Sequence, residues 1–278
     1  MLSLSERLGF SSDEKILIIN ADDLGLCHSA NVGVFECLKT GLVTSASLMV
    51  PGPWAREACA RYRGEDVGVH LTLNSQFELY PWGPITHAPS LLGGDGGFPR
   101  TVEDVWNHAD LDEVRRECKA QIERAILWGF NVSHLDVHMA TLQLRPEFFD
   151  IYLDLGIDFG LPLRMLGSDL ESFLGFPARQ VATEAGVIFT DHTILTNSVG
   201  SRELIEAHLD TLQPGVTELH LHPATDSDEL RALAPDWSRR VDDYAMVCKE
   251  SNLKDAIENA GVRLIGFRLL RELARSMI

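Results

Sequence analysis

The chain has 278 residues, of which 45% are apolar and 23% charged, which excludes a disordered or low-complexity protein and is enough for a sizeable core. Against 24 Lys and Arg stand 41 Asp and Glu, a net charge of −17, and that field repels phosphate backbones and anionic lipid, so nucleic acid and membranes are not expected partners. Five cysteines (Cys27, Cys37, Cys59, Cys118, Cys248) lack a CxxC pair and fit reduced thiols, and the opening MLSLSERLGF lacks an apolar signal core, so a soluble cytoplasmic protein is expected.

The first predicted strand covers residues 15–20 (KILIIN) and runs into Ala21, Asp22, Asp23, Leu24 and Gly25. Two adjacent carboxylates at the C-terminal end of a strand lie where parallel α/β folds place their chemistry, although an Asp pair there also serves as turn former or helix cap. A helix over residues 29–40 stops at Gly41, and strands follow at residues 45–50 and 67–73, the second carrying His70. Residues 74–100 are rich in Gly and Pro without helical period, which predicts a long loop insertion over the mouth of the fold. The clearest helix starts at Asp110 as N-cap, presents Val114, Cys118, Ile122 and Ile126 on one face, and ends at Gly129.

Residues 133–137 form the next strand, and with His138 they read SHLDVH. Alternation puts His134, Asp136 and His138 on one face, where three ionisable groups are costly unless paired or bound to a metal. Later strands are expected at residues 161–165, 186–189, 217–222 and 262–266, with Glu218, His220 and His222 sharing a face of the third of these. There a satisfied hydrogen-bond network competes with a positioned acid or base. Asp191 and His192, with His28, His87, His108 and His208, are weak candidates.

About eight strands alternating with helices leave a (β/α) barrel or an open doubly wound sheet, and ~250 residues is the usual barrel length. No repeat, linker or composition shift divides the chain, so one domain over residues 1–278 is expected. One carboxylate and two imidazoles around an open position make a divalent-cation site, a second carboxylate can take a proton from water, and a further His can protonate a leaving group. This is the equipment of metal-assisted amide or ester hydrolysis. A binding barrel with a structural metal is the alternative; a phosphoesterase would call for a second ligand cluster.

The segments NADDLGLCHSANVGVFECLKTGLVTSASLMV, DVGVHLTL, SHLDVHMATLQLRPEFFDIYLDLGI and TELHLHPATDSDELRAL, with PSLLGGDGGF in the long loop, resemble in order and spacing the YdjC-like family of carbohydrate deacetylases, which includes chitooligosaccharide deacetylases. The resemblance runs from about Lys15 to the closing GVRLIGFRLLREL. It implies a distorted (β/α) barrel of the polysaccharide deacetylase type, a carbohydrate-like small-molecule substrate, a homo-oligomer, and attack of a metal-bound water on an acetamido carbonyl. Matched by position, Asp23, His70 and His138 would hold one divalent ion, magnesium or zinc. Asp22 would be the general base, His222 the general acid, and Arg164 a neighbour of base or substrate. His134 and Asp136 would orient the ligands. Ala140 and Leu142 stand where relatives often carry further histidines, implying a more apolar pocket, and Cys27-His28 replaces a more usual Ser with a local effect only.

Overall fold

A computed structural model describes residues 2–194, 201–209, 211–250 and 252–277. In chain order its main elements are α1 (Leu4–Arg7), β1 (Lys15–Leu24), α2 (His28–Thr40), β2 (Ser45–Leu48), α3 (Ala55–Arg61), β3 (Val67–Leu71), α4 (Val102–His108), α5 (Leu111–Leu127) and β4 (Leu135–Val137). Then come α6 (Pro146–Phe159), α7 (Glu171–Leu174), α8 (Ala178–Glu184), β5 (His192–Ile194), α9 (Ser201–His208), β6 (Gly215–Leu221), α10 (Asp228–Leu233), α11 (Trp237–Cys248), α12 (Asn252–Asn259), β7 (Arg263–Leu264) and α13 (Phe267–Arg275). The strands pair in parallel in the order β4-β3-β2-β1-β6-β5, with β7 beside the first half of β1.

The strands expected at residues 161–165 and 186–189 are reduced to two isolated bridges that share Leu163, Leu135 to Leu163 and Leu163 to Phe189. Pro162 has no N–H to donate, which interrupts a ladder there. These bridges nonetheless continue the ring from β4 to the segment that enters β5 and so reaches β6, giving the expected distorted barrel.

β1 shows how sequence fills this ring. Its Ile16 and Ile18 point inward with Val216, Leu4, Phe267 and Leu270, so α1 and α13 plug the N-terminal end of the barrel. Leu17, Ile19 and Ala21 belong instead to the cluster shared with the surrounding helices. Both faces are apolar because both are buried. Further along, the inward positions turn polar: Asn20 aligns with His220, and His70 with Asp136. A ring of polar side chains thus sits above an apolar plug, at the C-terminal end of the strands.

α5 begins with the Asp110 carboxylate accepting from Asp112 and Glu113 N–H and ends as predicted, with Gly129 (φ 93°) donating to Ile126 and Phe130 to Ala125. Its buried face is Val114, Glu117, Cys118, Gln121, Ile122 and Ala125, whereas Ile126 is 48% exposed. A strict four-residue spacing gains about 40° per step on a helix of 3.6 residues per turn, so it walks off the face after three steps. Polar side chains of α5 pin the long loop and the residue that follows β3. Buried Glu117 accepts from Ile85 N, Thr86 N and Thr86 Oγ1, Glu113 accepts from Ser90, and Gln121 pairs with Thr72.

Candidate metal centre at the rim of the barrel

Strand alternation should send Asp22 and Asp23 to opposite faces, yet both side chains enter the site. Asp23 adopts φ 65°, and the pairing of β1 with β2 shifts register between Ala21 and Leu24. Left-handed backbone is uncommon outside glycine, Asp tolerates it better than most, and such strain gathers at functional positions. The turn is held by Asn31 from α2, whose Oδ1 accepts from Gly25 N at 2.7 Å. Gly33 of the same helix lets it approach the segment after β6, since a Cβ there would lie 2.7 Å from the Pro223 carbonyl oxygen and from Ala224 Cα.

Three donor atoms meet at the rim. Asp23 Oδ1 lies 3.5 Å from His70 Nε2 and 3.5 Å from His138 Nδ1, and those two nitrogens are 3.2 Å apart. Donors bound at ~2.0–2.2 Å around one divalent ion stand about 3.0–3.5 Å from one another, so the triangle has the right size. Asp23 Oδ1 is buried with no hydrogen-bond partner among the described residues, as an oxygen reserved for a cation would be. The ring nitrogens facing away are both tied. His70 Nδ1 donates to Asp136 Oδ1 at 2.6 Å, and His138 Nε2 donates to Gln76 Oε1 at 2.8 Å, so that with a cation bound Nε2 and Nδ1 respectively would face it as lone pairs. The residues present therefore fit a divalent ion.

A second layer of arginines surrounds the carboxylates. Arg164 binds Asp22 with two parallel bonds of 2.6 and 2.8 Å, pairs with Asp136 at 3.1 Å, and donates Nε to Glu218 at 2.6 Å. Arg240 Nη1 donates to Asp23 Oδ2 at 2.7 Å. Asn20 adds a 2.8 Å bond to Asp22 Oδ1. Three aspartates against two arginines leave this buried cluster at least one negative charge in excess, before Glu218 is counted.

The electrostatics express that excess. Burial disfavours ionised Asp22 and Asp23, but Arg164 and Arg240 respectively outweigh it and hold both carboxyls well below the usual range. Burial likewise pushes His70 down, yet Asp136, with Asp22 and Asp23, lifts it to about 9. Without a cation, the cluster draws a proton to His70. Burial lowers His138 and His222 and takes His220 down to about 3, so all three rest neutral. Burial raises Glu218 to about 7 against the opposing pull of Arg164.

The geometry thus brings Asp22, Asp23, His70, His138 and Arg164 together, as expected, and corrects the view of His134. That side chain occupies the lower layer, stacked on Phe267 at 3.9 Å with Nδ1 bonded to Ser133 Oγ, while Gly68 leaves room for its ring. Sharing a strand face with His138 puts it four residues down the barrel, not beside the ligands. His222 follows β6, half-buried; its N–H donates to Asp243 at 2.9 Å and its Nδ1 has no hydrogen-bond partner among the described residues. Asp191 caps the opposite end of β6 at Val216, His192 lies near Pro214, and His28, His87, His108 and His208 are exposed.

Leu142 is fully buried in the main core, so it does not make the pocket apolar; the residues after His138 that reach the surface are Met139 and Ala140, both left-handed at φ 51° and 55°. Cys27 is the N-cap of α2, its Sγ accepting from Ala30 N, and His28 packs on Trp54. Sequence reasoning missed Gln76, Arg240 and Glu218's pairing with Arg164. For Gln76 the long loop was a signal; for Arg240, on a helix rich in charge, there was none.

The fold and the site together define a parallel α/β barrel with a candidate cation centre at its C-terminal rim. The YdjC-like protein family model matches residues 16–258, and the chain belongs to that family. A protein from Thermus thermophilus, named carbohydrate deacetylase, is 36% identical over 250 residues, covering 87% of this chain and 89% of that one. One from Thermoanaerobacter pseudethanolicus with the same name is 31% identical over 221 residues, 78% and 84% of the two chains. A crystal structure from Enterococcus faecalis V583, provisionally ascribed to cellobiose-phosphate cleavage, superposes with a TM-score of 0.81 at 27% identity, covering 92% of this chain and 99% of that one.

Proposed function

We propose that this chain is a metal-dependent carbohydrate deacetylase, hydrolysing the acetamido group of an N-acetylated sugar or a related small amide. The observation that carries the reading is the triangle of Asp23 Oδ1, His70 Nε2 and His138 Nδ1, supported by the names of the relatives. A divalent ion in that triangle supplies Lewis acidity, polarising a carbonyl and bringing the ionisation of water to near pH 7, so that a weak base suffices. Two imidazoles with one carboxylate favour zinc over magnesium by donor preference.

In this reading Asp22 accepts the proton from the attacking water. Arg164 keeps Asp22 ionised and fixes its plane through two hydrogen bonds, and Oδ2 retains a lone-pair direction after accepting from Nη1. His222, neutral at rest and with Nδ1 unengaged by a hydrogen bond, takes up a proton during the reaction and passes it to the departing amine. Asp136 and Gln76 hold the two ligand rings in the required tautomers.

A two-metal phosphoesterase is disfavoured by the same geometry. The second possible ligand set, Asp22, His70 and Asp136, shares His70 with the first, and the Arg164 guanidinium already pairs with both of its carboxylates. The deciding experiment is acetate release from N-acetylated chitooligosaccharides and a wider amide and ester panel, with and without chelator. Release that stops on chelation and returns with metal supports the reading. Tight sugar binding without turnover on any member would point to a binding barrel, and phosphate release to the esterase.

A further inference from the structure

Five cysteines are scattered through the sequence, but two of them meet: Cys37 Sγ, in the last turns of α2, lies 3.4 Å from Cys248 Sγ at the end of α11, across 211 residues of chain. Cys37 is fully buried, whereas Cys248 is partly exposed. We propose that these two thiols form a reversible dithiol–disulfide couple, a modification site at which a low-molecular-weight disulfide oxidises the protein and cross-links α2 to α11. The sulfurs need approach by only roughly a further 1.3 Å to reach the ~2.05 Å of a disulfide.

The two cysteines differ in the way the chemistry requires. The Cys37 thiol, hydrogen-bonded to Cys248, holds the latter below its ordinary range, and Cys37 itself is raised by that bond and by burial. Cys248, the accessible member, is therefore the attacking thiolate and Cys37 the resolving thiol. In the first step the Cys248 thiolate attacks one sulfur of the small disulfide and releases one thiolate. In the second, Cys37 attacks the Cys248 sulfur and releases the other, its proton passing to the departing thiolate. Two protein thiols lose two electrons, and one small disulfide becomes two thiols. The other cysteines are poor competitors: Cys27 and Cys118 are buried with raised thiols, and Cys59 Sγ donates to the Trp128 carbonyl.

The cross-link would tether the end of α11, whose earlier turns hold Asp23 through Arg240 and the His222 backbone through Asp243. The test is incubation of the full-length protein with oxidised glutathione, followed by intact-mass and peptide analysis under non-reducing conditions. The parent should lose two hydrogens, yield a Cys37–Cys248 linked peptide and revert with dithiothreitol. Cys37→Ser should instead trap one glutathione on Cys248, and Cys248→Ser should leave Cys37 unmodified. Hydrogen exchange in α11 should slow in the oxidised parent. Preferential modification of Cys59, or a Cys37→Ser protein that takes up no glutathione, would overturn the assignment, and unchanged exchange in α11 would overturn the tether.

Discussion

Arg240 Nη1 donates to Asp23 Oδ2 at 2.7 Å, joining residues 217 positions apart, and both side chains are almost fully buried. The bond occupies one carboxylate oxygen and leaves Oδ1 turned toward the two imidazoles. Removing one member of a buried pair strands the other's charge, at a cost of roughly 3–5 kcal/mol. Arg240→Met should therefore destabilise the metal-free protein by about that amount, and a bound cation, by neutralising Asp23, should recover part of it. Thermal melts with chelator and with zinc check this: the gain on adding zinc should be larger in the variant than in the parent.

The proposed division of labour between the adjacent aspartates separates binding from turnover. His138→Ala should lose the ion, as read by elemental analysis of protein purified without added metal. Asp22→Asn should keep it and lose ~10²-fold or more in turnover, the usual weight of a general base. Equal activity in Asp22→Asn and parent would assign Asp22 another role.

Asp136 and Gln76 each orient a ligand ring without touching the candidate cation position. Asp136→Asn and Gln76→Leu should each weaken metal affinity by roughly 10–100-fold, the typical effect of losing such a partner. Competition against a chromogenic chelator measures it.

Much of this site was legible in the residues. Carboxylates at the end of β1, a histidine on β3 and an HxDxH segment on the next strand point to the rim because parallel barrels gather their strand ends there. The period-2 rule, however, separates neither layers nor bulges. It groups His134 with His138 although one packs on Phe267 and the other meets Asp23, and it cannot foresee the left-handed Asp23 that turns both aspartates inward. Arg240 was invisible because nothing local marks an arginine whose partner is supplied by the tertiary fold. The strands expected at residues 161–165 (LPLRM) and 186–189 (GVIF) are apolar enough to be read as strands, but each pairs at only one residue.

His134 offers a contrast between two histidines of one motif. Burial lowers it from the ordinary 6.5 to about 3, so below pH 6.5 the unfolded chain binds a proton that the folded chain refuses, and stability falls as the pH drops through that window. His134→Phe keeps a ring against Phe267 and removes the titration. The variant should retain metal and turnover while its stability falls less steeply between about pH 6.5 and 3, as followed by urea unfolding across that range. A loss of bound metal in this variant would return His134 to the ligand environment.

The central claim is a cation held by Asp23, His70 and His138, and anomalous diffraction from zinc-loaded crystals tests it most directly. The account predicts one peak per chain within ~2.0–2.2 Å of Asp23 Oδ1, His70 Nε2 and His138 Nδ1. A fully loaded protein whose zinc lies elsewhere, with those three side chains bonded only to one another, would contradict it.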